Sequence, residues 1–565
     1  MTIQDIRNAI HQERAATPRF TDFKVTEILS GFPLMQLILQ AHDPAGMSVE
    51  IEEYFIGSAA WWRTDNNEGK AKVVNIVADT GLVTLQHISG AVPRVNQNIR
   101  LTPPDFLWSL ANCWDDDVWA EKSFACLDDF EKPKQTLGTP LSSDGIEKLR
   151  TAQRQAFDLV NIDPAFIWGP PGTGKTTVLG ELLAAYLKSN WSHRVLVVCT
   201  TNKAVDEVIL SVDGALENAG QFSMRHAMQR KGSGYDRRRF EHHQHLLPGF
   251  SGYSDEEAVQ ESRGDVRLIA MTVASAISSL AWLREQAPFD LLVMDEASQV
   301  SMAHVLALMP LARNRLFAGD PMQLSPVVKS TSAGAQRWMA QSAFAYKPPS
   351  GPSVCLLDEQ SRMAPPICDV VSQVFYEGKL RVAQNALDNP GWLQQRKRKF
   401  GDIAANEHVS IQTIATNSVL SSRNRKVNRL ESAERIVALL VSAFMHKHVG
   451  WDEVVVITPF RKQNRVIRAL LNEANFKNVR VDTVHRSQGI EALVVIFDPV
   501  DGMNEFLLQE SGRKLINVAL SRARGKLILT LSDRDLNNPM FAMMLDIVKK
   551  HANLPTGRSG ESLRF

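Results

Sequence analysis

Cysteine is scarce in this sequence, and no two cysteines stand at the spacing of a metal or redox motif. The 565 residues include five cysteines, none in a C-x-x-C pair, at positions Cys113, Cys126, Cys199, Cys355 and Cys368. An odd, dispersed set of this kind excludes a disulfide framework, a zinc module and a four-cysteine iron–sulfur cluster. A reducing compartment fits this usage best.

Net charge and long apolar runs are also missing. Lys and Arg number 63 against 62 Asp and Glu, so any site for a polyanion must be a local patch. No apolar run approaches the roughly 20 residues that span a bilayer. The charged N-terminal segment lacks the apolar core of a signal peptide. We therefore expect a soluble protein of the cytoplasm, or of the nucleus if the source is eukaryotic, with no membrane partner.

The apolar pattern divides this globular chain into a β-rich beginning and two α/β blocks. Short alternating runs at 49–56 and 73–88 predict a barrel-like accessory domain over residues 1–145, which also holds stalk helices between about 104 and 130 and a polar linker at 132–143. From residue 146, apolar strands alternate with helical segments. This pattern predicts parallel α/β domains at 146–350 and 351–565, the second with a short C-terminal tail.

The strongest local signal is a glycine-rich segment between a predicted strand and a predicted helix. It fits the pattern G-x-x-x-x-G-K-[ST] and consists of Gly169, Pro170, Pro171, Gly172, Thr173, Gly174, Lys175, Thr176 and Thr177. In this context the glycines turn backbone N–H groups toward phosphate oxygens, and the helix N-terminus adds partial positive charge. We expect Lys175 to reach the terminal phosphates of a nucleotide and Thr176 to be a ligand of Mg²⁺.

Polar residues follow two further apolar strands of the first block. Asp295 and Glu296 come directly after the strand at 291–295, and Gln323 lies just beyond the strand at 315–320. The carboxyl ends of parallel strands line the ligand crevice of such a sheet. We expect Asp295 to hold Mg²⁺, Glu296 to act as general base for the attacking water, and Gln323 to touch the γ-phosphate or that water.

Two arginines of the second block complete the set. Arg362 lies in LDEQSRM, and Arg522 lies in NVALSRAR with Arg524 close by. An arginine supplied across a cleft neutralises the charge that develops in phosphoryl transfer and is worth roughly 10³ to 10⁵ in rate. A surface salt bridge is the usual alternative for a single arginine. Their place in this ordered series favours catalysis, so we predict a hydrolase of nucleoside triphosphates; the resemblance described next implies ATP.

With these motifs the chain resembles the superfamily 1 helicases, in particular the superfamily 1B branch that includes the up-frameshift RNA helicase of nonsense-mediated decay and senataxin. The similarity covers about residues 149–531. Ten segments carry it in order, namely LRTAQRQA, GPPGTGKTT, TTNKAVDEV, MTVASA, DEASQ, GDPMQLSPVV, EQSRM, ITPFRKQ, VDTVHRSQGIE and NVALSRAR.

The resemblance implies two tandem RecA-like domains that bind ATP and Mg²⁺ between them, with a helical insert at about 213–265. It implies that Gln153 reads the adenine edge and that Gly489 and Glu491 lie near the nucleotide. It also implies a set of residues that face a bound strand, namely Thr200, Asn202, Thr272, Thr458, Pro459, Thr483 and His485. Where relatives often carry an aromatic residue after the glutamine of EQSRM, this chain has Ser361, which leaves nucleobase specificity open.

The function implied is an ATP-dependent helicase or translocase that moves on single-stranded DNA or RNA, 5′ to 3′. The alternative is a nucleic-acid-stimulated ATPase that clamps or remodels protein–nucleic acid complexes without processive unwinding. The N-terminal domain is a candidate site for protein partners. Hydrolysis indifferent to nucleic acid, as in a signalling NTPase, is disfavoured because every motor motif is present.

Basic and aromatic segments outside these motifs have two readings each. The basic runs at 224–245, 396–399 and 423–429 are either strand-binding patches or ordinary solvated surface. Trp61 and Trp62 are candidates for base stacking, although core packing is the favoured alternative.

Overall fold

The computed structural model describes residues 1–17, 20–41, 58–63, 68–77, 81–102, 105–135, 141, 145–232, 234–247, 266–346, 351–415, 420–422, 426–476 and 478–552. Several predicted features lie wholly or partly outside the described residues. They are the alternating run at 49–56, the hairpin-turn residues 79–80, much of the linker at 132–143, the interdomain residues 347–350, the basic residues 423–425 and the C-terminal tail.

The described residues form two compact units. One unit consists of Met1–Ala120 with Val328–Met339, and the other of Glu121–Val327 with Ala340–Phe565. No helix among the described residues combines the length and the apolar character that a bilayer crossing requires.

The first unit contains the predicted barrel. Six antiparallel strands close in the order β1-β2-β5-β4-β3-β6, and they are β1 (Thr21–Ser30), β2 (Leu34–Ala41), β3 (Ala59–Arg63), β4 (Glu68–Val77), β5 (Leu82–Gly90) and β6 (Asn98–Thr102). Inward residues such as Phe23, Val73 and Trp62 are fully buried, because alternate side chains along each strand face the interior. The Trp62 indole Nε1 donates to the carbonyl of Ala91 at 2.9 Å. Core packing is therefore the role of Trp62.

Helices accompany the barrel. Those lying wholly in the first unit are Ile3–Ala16, Phe106–Asp115 and Ala333–Trp338, and Asp117–Ala125 begins there. Within this unit the buried carboxylate of Glu13 accepts the backbone N–H groups of Lys329 at 2.9 Å and Ser330 at 2.8 Å. A charged acceptor with several backbone donors is well satisfied, so the segment 328–339 is fastened to the first helix of the chain.

The second unit opens with a seven-stranded parallel sheet, ordered β11-β12-β10-β13-β14-β9-β15. Its strands, preceded by the short pair β7 (Lys134–Gln135) and β8 (Ile162–Asp163), are β9 (Ala165–Trp168), β10 (Val195–Cys199), β11 (Met228–Arg230), β12 (Leu268–Thr272), β13 (Phe289–Asp295), β14 (Ala312–Gly319) and β15 (Val354–Leu356). Strand β15 lies beyond the expected domain boundary at 350 and pairs with β9. The strands are almost wholly apolar because helices cover both faces of such a sheet.

The α-helices of this domain and of the segment before it are Leu127–Glu131, Thr151–Gln155, Lys175–Ser189, Asn202–Asn218, Phe222–His226, Val273–Ser278, Leu280–Gln286, Met302–Leu308 and Ala343–Tyr346. The described residues after Asn218 in the expected helical insert contain one short helix, strand β11 and two turns of 3₁₀-helix at 237–240 and 244–246. That segment is therefore mostly non-helical. Buried ion pairs hold it to the helix Asn202–Asn218, between Arg225 and Asp213 and between Arg230 and Asp206.

A second parallel sheet follows, ordered β18-β24-β23-β21-β22. The strands of this half are β16 (Glu359–Gln360), β17 (Arg381–Val382), β18 (Val409–Ile414), β19 (Leu420–Ser422), β20 (Lys426–Asn428), β21 (Val454–Thr458), β22 (Arg480–Thr483), β23 (Ala492–Phe497) and β24 (Ala523–Ser532). Its α-helices are Pro365–Phe375, Gln384–Leu387, Pro390–Arg396, Leu430–Met445, Arg461–Glu473, Glu505–Leu508, Glu510–Leu520 and Pro539–Ala552. The predicted architecture of a barrel followed by two tandem α/β domains is confirmed.

Candidate nucleotide and nucleic-acid sites

The glycine-rich loop joins β9 to the helix that begins at Lys175. Gly172 and Gly174 have φ angles of 76° and 79°, a left-handed region that side chains with a Cβ disfavour. The N–H of Gly169 donates to the carbonyl of Gly319 at 2.9 Å, which fixes the loop against the end of β14. The loop therefore leads directly into the N-terminus of the helix Lys175–Ser189, a position suited to an anion.

Lys175 pairs with both acidic residues at the end of β13. Its Nζ lies 2.9 Å from Asp295 Oδ1 and 2.8 Å from Glu296 Oε1. The predicted phosphate-binding lysine and the predicted acidic pair therefore come together. One ammonium shared by two carboxylates leaves a net negative charge on this half of the site.

Burial and pairing act in opposite directions on these three groups. Burial lowers the pKa of Lys175, but the two carboxylates outweigh it and the net pKa is raised. Burial raises the pKa of Asp295, and Lys175 only partly offsets this effect. For Glu296, burial raises the pKa, but Lys175, Arg522 and the hydrogen bond from Gln299 together outweigh burial, so the net pKa is lowered. Glu296 is the carboxylate held in the ionised form that a base requires.

Glu296 occupies a strained backbone conformation. Its φ is 53°, which is uncommon for a residue other than glycine. Its N–H donates to Asp295 Oδ1 at 2.9 Å, and its Oε2 accepts from Gln299 Nε2 at 3.2 Å. Strain of this kind persists where the surroundings hold a side chain in a required place, and it is enriched at functional sites.

Gln153 and Thr176 flank the loop. The Gln153 amide Nε2 donates to the carbonyl of Thr173 at 2.8 Å, and its Oε1 accepts from the N–H of Arg150 at 2.9 Å. Gln153 is thus buried and bound to the phosphate loop itself. Thr176 lies in the first turn of the helix, where its carbonyl accepts from Ser211 Oγ at 3.1 Å.

Arg362 reaches the same loop from the second domain. The N–H of Ser361 donates to the carbonyl of Gly172 at 3.1 Å, and a Cβ built on Gly172 would lie 2.5 Å from the Cβ of Arg362. The Arg362 Nη2 forms a 2.6 Å ion pair with Glu491. Its buried Nε has no hydrogen-bond partner among the described residues. Arg362 therefore has an unused donor beside the phosphate loop.

Arg522 is buried next to Arg362. Its Nε donates to the carbonyl of Val518 at 2.9 Å, and its Nη2 donates to Gln323 Oε1 at 3.3 Å. Within the described part of the chain it has no carboxylate partner. Burial, followed by repulsion from Arg362, lowers the pKa of Arg522 to about 10. Arg522 is thus a desolvated guanidinium that forms no ion pair with a carboxylate among the described residues, and it lies beside an unused donor of Arg362. This pair matches the charge of a phosphate.

Gln323 joins the two domains through a buried network that the sequence did not reveal. Its Nε2 donates to Asp320 Oδ2 at 2.7 Å. The same oxygen accepts from the Tyr376 hydroxyl at 2.6 Å, and that hydroxyl accepts from Asn517 Nδ2 at 2.8 Å. Asp320 and Gln323 belong to the first domain, and the other residues to the second. Only the position of Asp320 at a strand end could have signalled the network.

The residues predicted to face a nucleic acid strand lie at strand ends. Cys199 of β10 is in register with Thr272 of β12, so Thr200, the next residue, lies beside it. In the second sheet Thr458 of β21 is in register with Thr483 of β22. Pro459 follows directly, and His485 is exposed two residues beyond Thr483.

Several of these residues already have intramolecular partners, among them the fully buried Thr458, whose Oγ1 accepts from the N–H of Phe460 at 3.4 Å. The Asn202 Oδ1 accepts from Arg230 Nη2 at 2.9 Å, and Thr272 Oγ1 accepts from the N–H of Ser275 at 3.1 Å. Thr200 Oγ1, by contrast, is buried without a partner among the described residues. A direct bond also links the two domains here, since Lys203 Nζ donates to the carbonyl of Gly489 at 2.7 Å.

Several arginines of the basic runs are buried. Arg225, Arg230, Arg396 and Arg429 are each less than a tenth exposed. Arg429, for example, pairs with Asp535 at 2.7 Å. These members of the runs are therefore neither strand-binding surface nor solvated surface, and both readings were wrong for them.

Comparison with known proteins gives two family matches, both described as AAA domain, over residues 153–329 and 339–533. The chain is similar to the DNA replication ATP-dependent helicase/nuclease of Bos taurus, at 28% identity over 68% of this chain and 37% of that protein. The corresponding protein of Xenopus laevis is 26% identical over 75% of this chain and 42% of that protein, and that of Saccharomyces cerevisiae 26% over 67% and 25%. The chain thus spans between a quarter and about two fifths of the length of these relatives.

Among solved structures, the chain is similar to the arterivirus nonstructural protein 10 helicase, with 12% identity and a TM-score of 0.39, over 91% of this chain and 79% of that one. The family matches and the curated relatives support a superfamily 1 helicase, and the chain carries two tandem domains of this type behind a six-stranded barrel.

Proposed function

We propose that this protein is an ATP-dependent helicase or translocase that moves on single-stranded nucleic acid. One observation carries the proposal. The phosphate loop of the first domain, with Lys175 and its two carboxylates, directly contacts the segment of the second domain that carries the half-buried Arg362. The buried guanidinium of Arg522 lies beside Arg362 and forms no ion pair with a carboxylate among the described residues. Such a site binds a triphosphate between domains and couples its cleavage to their movement.

The residues of the first domain supply binding and base chemistry in this proposal. ATP phosphates replace the carboxylates as partners of Lys175, which frees Glu296 to accept the proton of the attacking water. Thr176 and Asp295 provide the hydroxyl and carboxylate oxygens that Mg²⁺ prefers. When bound, that ion neutralises charge on the phosphate oxygens.

The residues of the second domain stabilise the transition state. Arg362 and Arg522 donate to oxygens on which charge develops, and Gln323 of the first domain turns from Arg522 toward the γ-phosphate or its water. The adenine edge is read by Gln153, with Gly489 and Glu491 near the ribose and phosphates. The resemblance to the up-frameshift and senataxin branch supports these assignments.

Strand contacts are assigned to the hydroxyl, amide and imidazole groups of six residues near the strand ends and to one proline. They are Thr200, Asn202 and Thr272 in the first domain, and Thr458, Pro459, Thr483 and His485 in the second. Short polar groups of this type position a sugar–phosphate backbone without reading its sequence. The names of the curated relatives favour DNA as the strand, and the family resemblance favours 5′ to 3′ movement.

The test measures ATP hydrolysis with and without single-stranded DNA and RNA, together with unwinding of duplexes that carry a 5′ or a 3′ tail. We expect stimulation by a single strand and unwinding of 5′-tailed duplexes only. Lys175→Ala should abolish turnover, whereas Glu296→Gln should bind ATP without cleaving it. Full hydrolysis by either variant would contradict the assignment.

A clamp that remodels protein–nucleic acid complexes uses the same site. The direct bond between Lys203 and Gly489 favours this second candidate, because it joins the two domains through a contact between their own residues. Stimulated hydrolysis with no strand displacement from either tail identifies the clamp.

A further inference from the structure

A second arginine, Arg396, binds the backbone carbonyls of the segment that carries Arg362. Arg396 sits at the end of the helix Pro390–Arg396 and is buried. Its Nη2 donates to the carbonyls of Ser361 at 3.0 Å and Arg362 at 2.9 Å, and its Nε donates to the Arg362 carbonyl at 3.1 Å. One planar guanidinium thus grips two successive carbonyls, as its fixed fork allows.

Trp392, one helical turn earlier, completes the grip. Its indole Nε1 donates to the same Ser361 carbonyl at 2.8 Å. Its ring lies 3.6 Å from the Arg396 guanidinium carbon, and its own carbonyl accepts from Arg396 Nη1 at 2.9 Å. The indole therefore fixes both the guanidinium plane and one of the two carbonyls that the guanidinium binds.

The buried guanidinium of Arg396 has a desolvation cost that a purely structural role does not require. It has no carboxylate partner within the described ranges, and burial together with the charge of Arg524 lowers the pKa of Arg396 to about 10. A buried cation is costly unless its donors are satisfied. Here the Arg396 donors bind backbone carbonyls, mostly those of Ser361 and Arg362. The positive charge of Arg396 therefore lies next to the backbone of Arg362, the residue proposed to contact the γ-phosphate.

The backbone N–H groups of residues 361–362 are also hydrogen-bonded, one of them to the phosphate loop. The N–H of Ser361 donates to Gly172, and the N–H of Arg362 donates to Gln360 Oε1 at 2.7 Å. The backbone at 361–362 is therefore fixed by its donors and by its acceptors at once. Small displacements of a catalytic group can cost about 10²-fold in rate.

We propose that Arg396, together with Trp392, is a positioning residue that holds Arg362 in register with the phosphate loop. The inference rests on the proposed function, since it concerns how the arginine of that site is placed.

The experiment compares Arg396→Gln and Trp392→Phe with the wild-type protein in ATPase assays saturated with single-stranded DNA. We expect Arg396→Gln to lower kcat by about 10- to 100-fold while the KM for ATP changes by less than about twofold. Trp392→Phe, which removes a single donor, should lower kcat by a smaller factor. Arg435→Gln is the matched control, because Arg435 is an exposed arginine of the second domain that donates to Gln412 Oε1 and belongs to none of the proposed sites. It should leave both constants unchanged.

A double mutant separates positioning from a general loss of structure. If Arg396 acts through Arg362, adding Arg396→Gln to Arg362→Ala costs no further activity. If the two losses multiply, or if Arg396→Gln keeps the wild-type kcat, the proposal is overturned. Should Arg396→Gln melt early, Trp392→Phe carries the same comparison.

Failure of the proposed function has a different signature. Full activity of Arg362→Ala would remove the catalytic assignment of Arg362, whatever the Arg396 variants do. An inactive Arg362→Ala protein beside a fully active Arg396→Gln protein would overturn only the positioning role.

Discussion

Replacing Tyr376 with phenylalanine removes one oxygen atom from the buried contact between the two α/β domains. That hydroxyl donates to Asp320 at 2.6 Å and accepts from Asn517 at 2.8 Å. A hydrogen bond to a charged group contributes about 1.5–3 kcal/mol and a neutral one about 1 kcal/mol. The Asn517 amide keeps a second acceptor, the carbonyl of Met322 at 2.7 Å, so most of the loss falls on Asp320. We expect Tyr376→Phe to lower the free energy of unfolding by about 2–3 kcal/mol.

The measurement is urea unfolding followed by circular dichroism, with ATPase assays on the same preparations. Tyr186→Phe is the matched control, since Tyr186 is also buried but its hydroxyl has no hydrogen bond among the described residues. Because Asp320 also anchors Gln323, Tyr376→Phe should lower kcat as well. If Tyr376→Phe is destabilised no more than Tyr186→Phe, the reasoning about the interdomain network fails.

Three further predictions concern other buried features. Gly172→Ala places a methyl group 2.5 Å from the Arg362 Cβ at a φ of 76°, so binding of a fluorescent ATP analogue should weaken at least about 10-fold; unchanged binding would contradict the close approach. Burial lowers the pKa of His304 to about 4. Below about pH 6.5 the unfolded state therefore binds a proton at His304 that the folded state does not bind. As a result the free energy of unfolding falls between about pH 6.5 and pH 4. Urea titrations should show that the free energy of unfolding drops between pH 7 and pH 5 by on the order of 1–2 kcal/mol less in His304→Gln than in the wild type. An equal drop in both proteins would refute this. Arg230→Met leaves the buried Asp206 without its ion-pair partner and should lower the free energy of unfolding by about 3–5 kcal/mol. Adding Asp206→Leu should restore part of that stability. If the double variant regains no stability, the ion pair is not the cause of the loss.

The sequence predicted those parts of the protein that are specified locally. The phosphate loop, the strands β9, β10 and β13 and the Asp295–Glu296 pair follow from short motifs and apolar runs. Their convergence follows from a general property of parallel sheets, whose carboxyl ends share one edge. The barrel followed from alternation along its strands.

Contacts between distant residues were beyond the sequence. Tyr376 and Asn517 carry no periodic or motif signal, and their roles depend on Asp320 arriving from the other domain. Strand β15 has three residues and pairs only because β9 offers an edge, so the domain boundary could not be read from composition. Arg396 looked like surface because a run of basic residues is usually solvated, and only the carbonyls of 361–362 explain its burial.

Under the proposed function, the double pairing of Lys175 makes nucleotide binding an exchange of partners. An incoming phosphate must compete with the carboxylates of Asp295 and Glu296 for the same ammonium group. The same carboxylates can pair with the ammonium again once the terminal phosphate departs. This competition lowers the resting affinity for nucleotide and speeds product release, as a motor that releases product in every cycle requires.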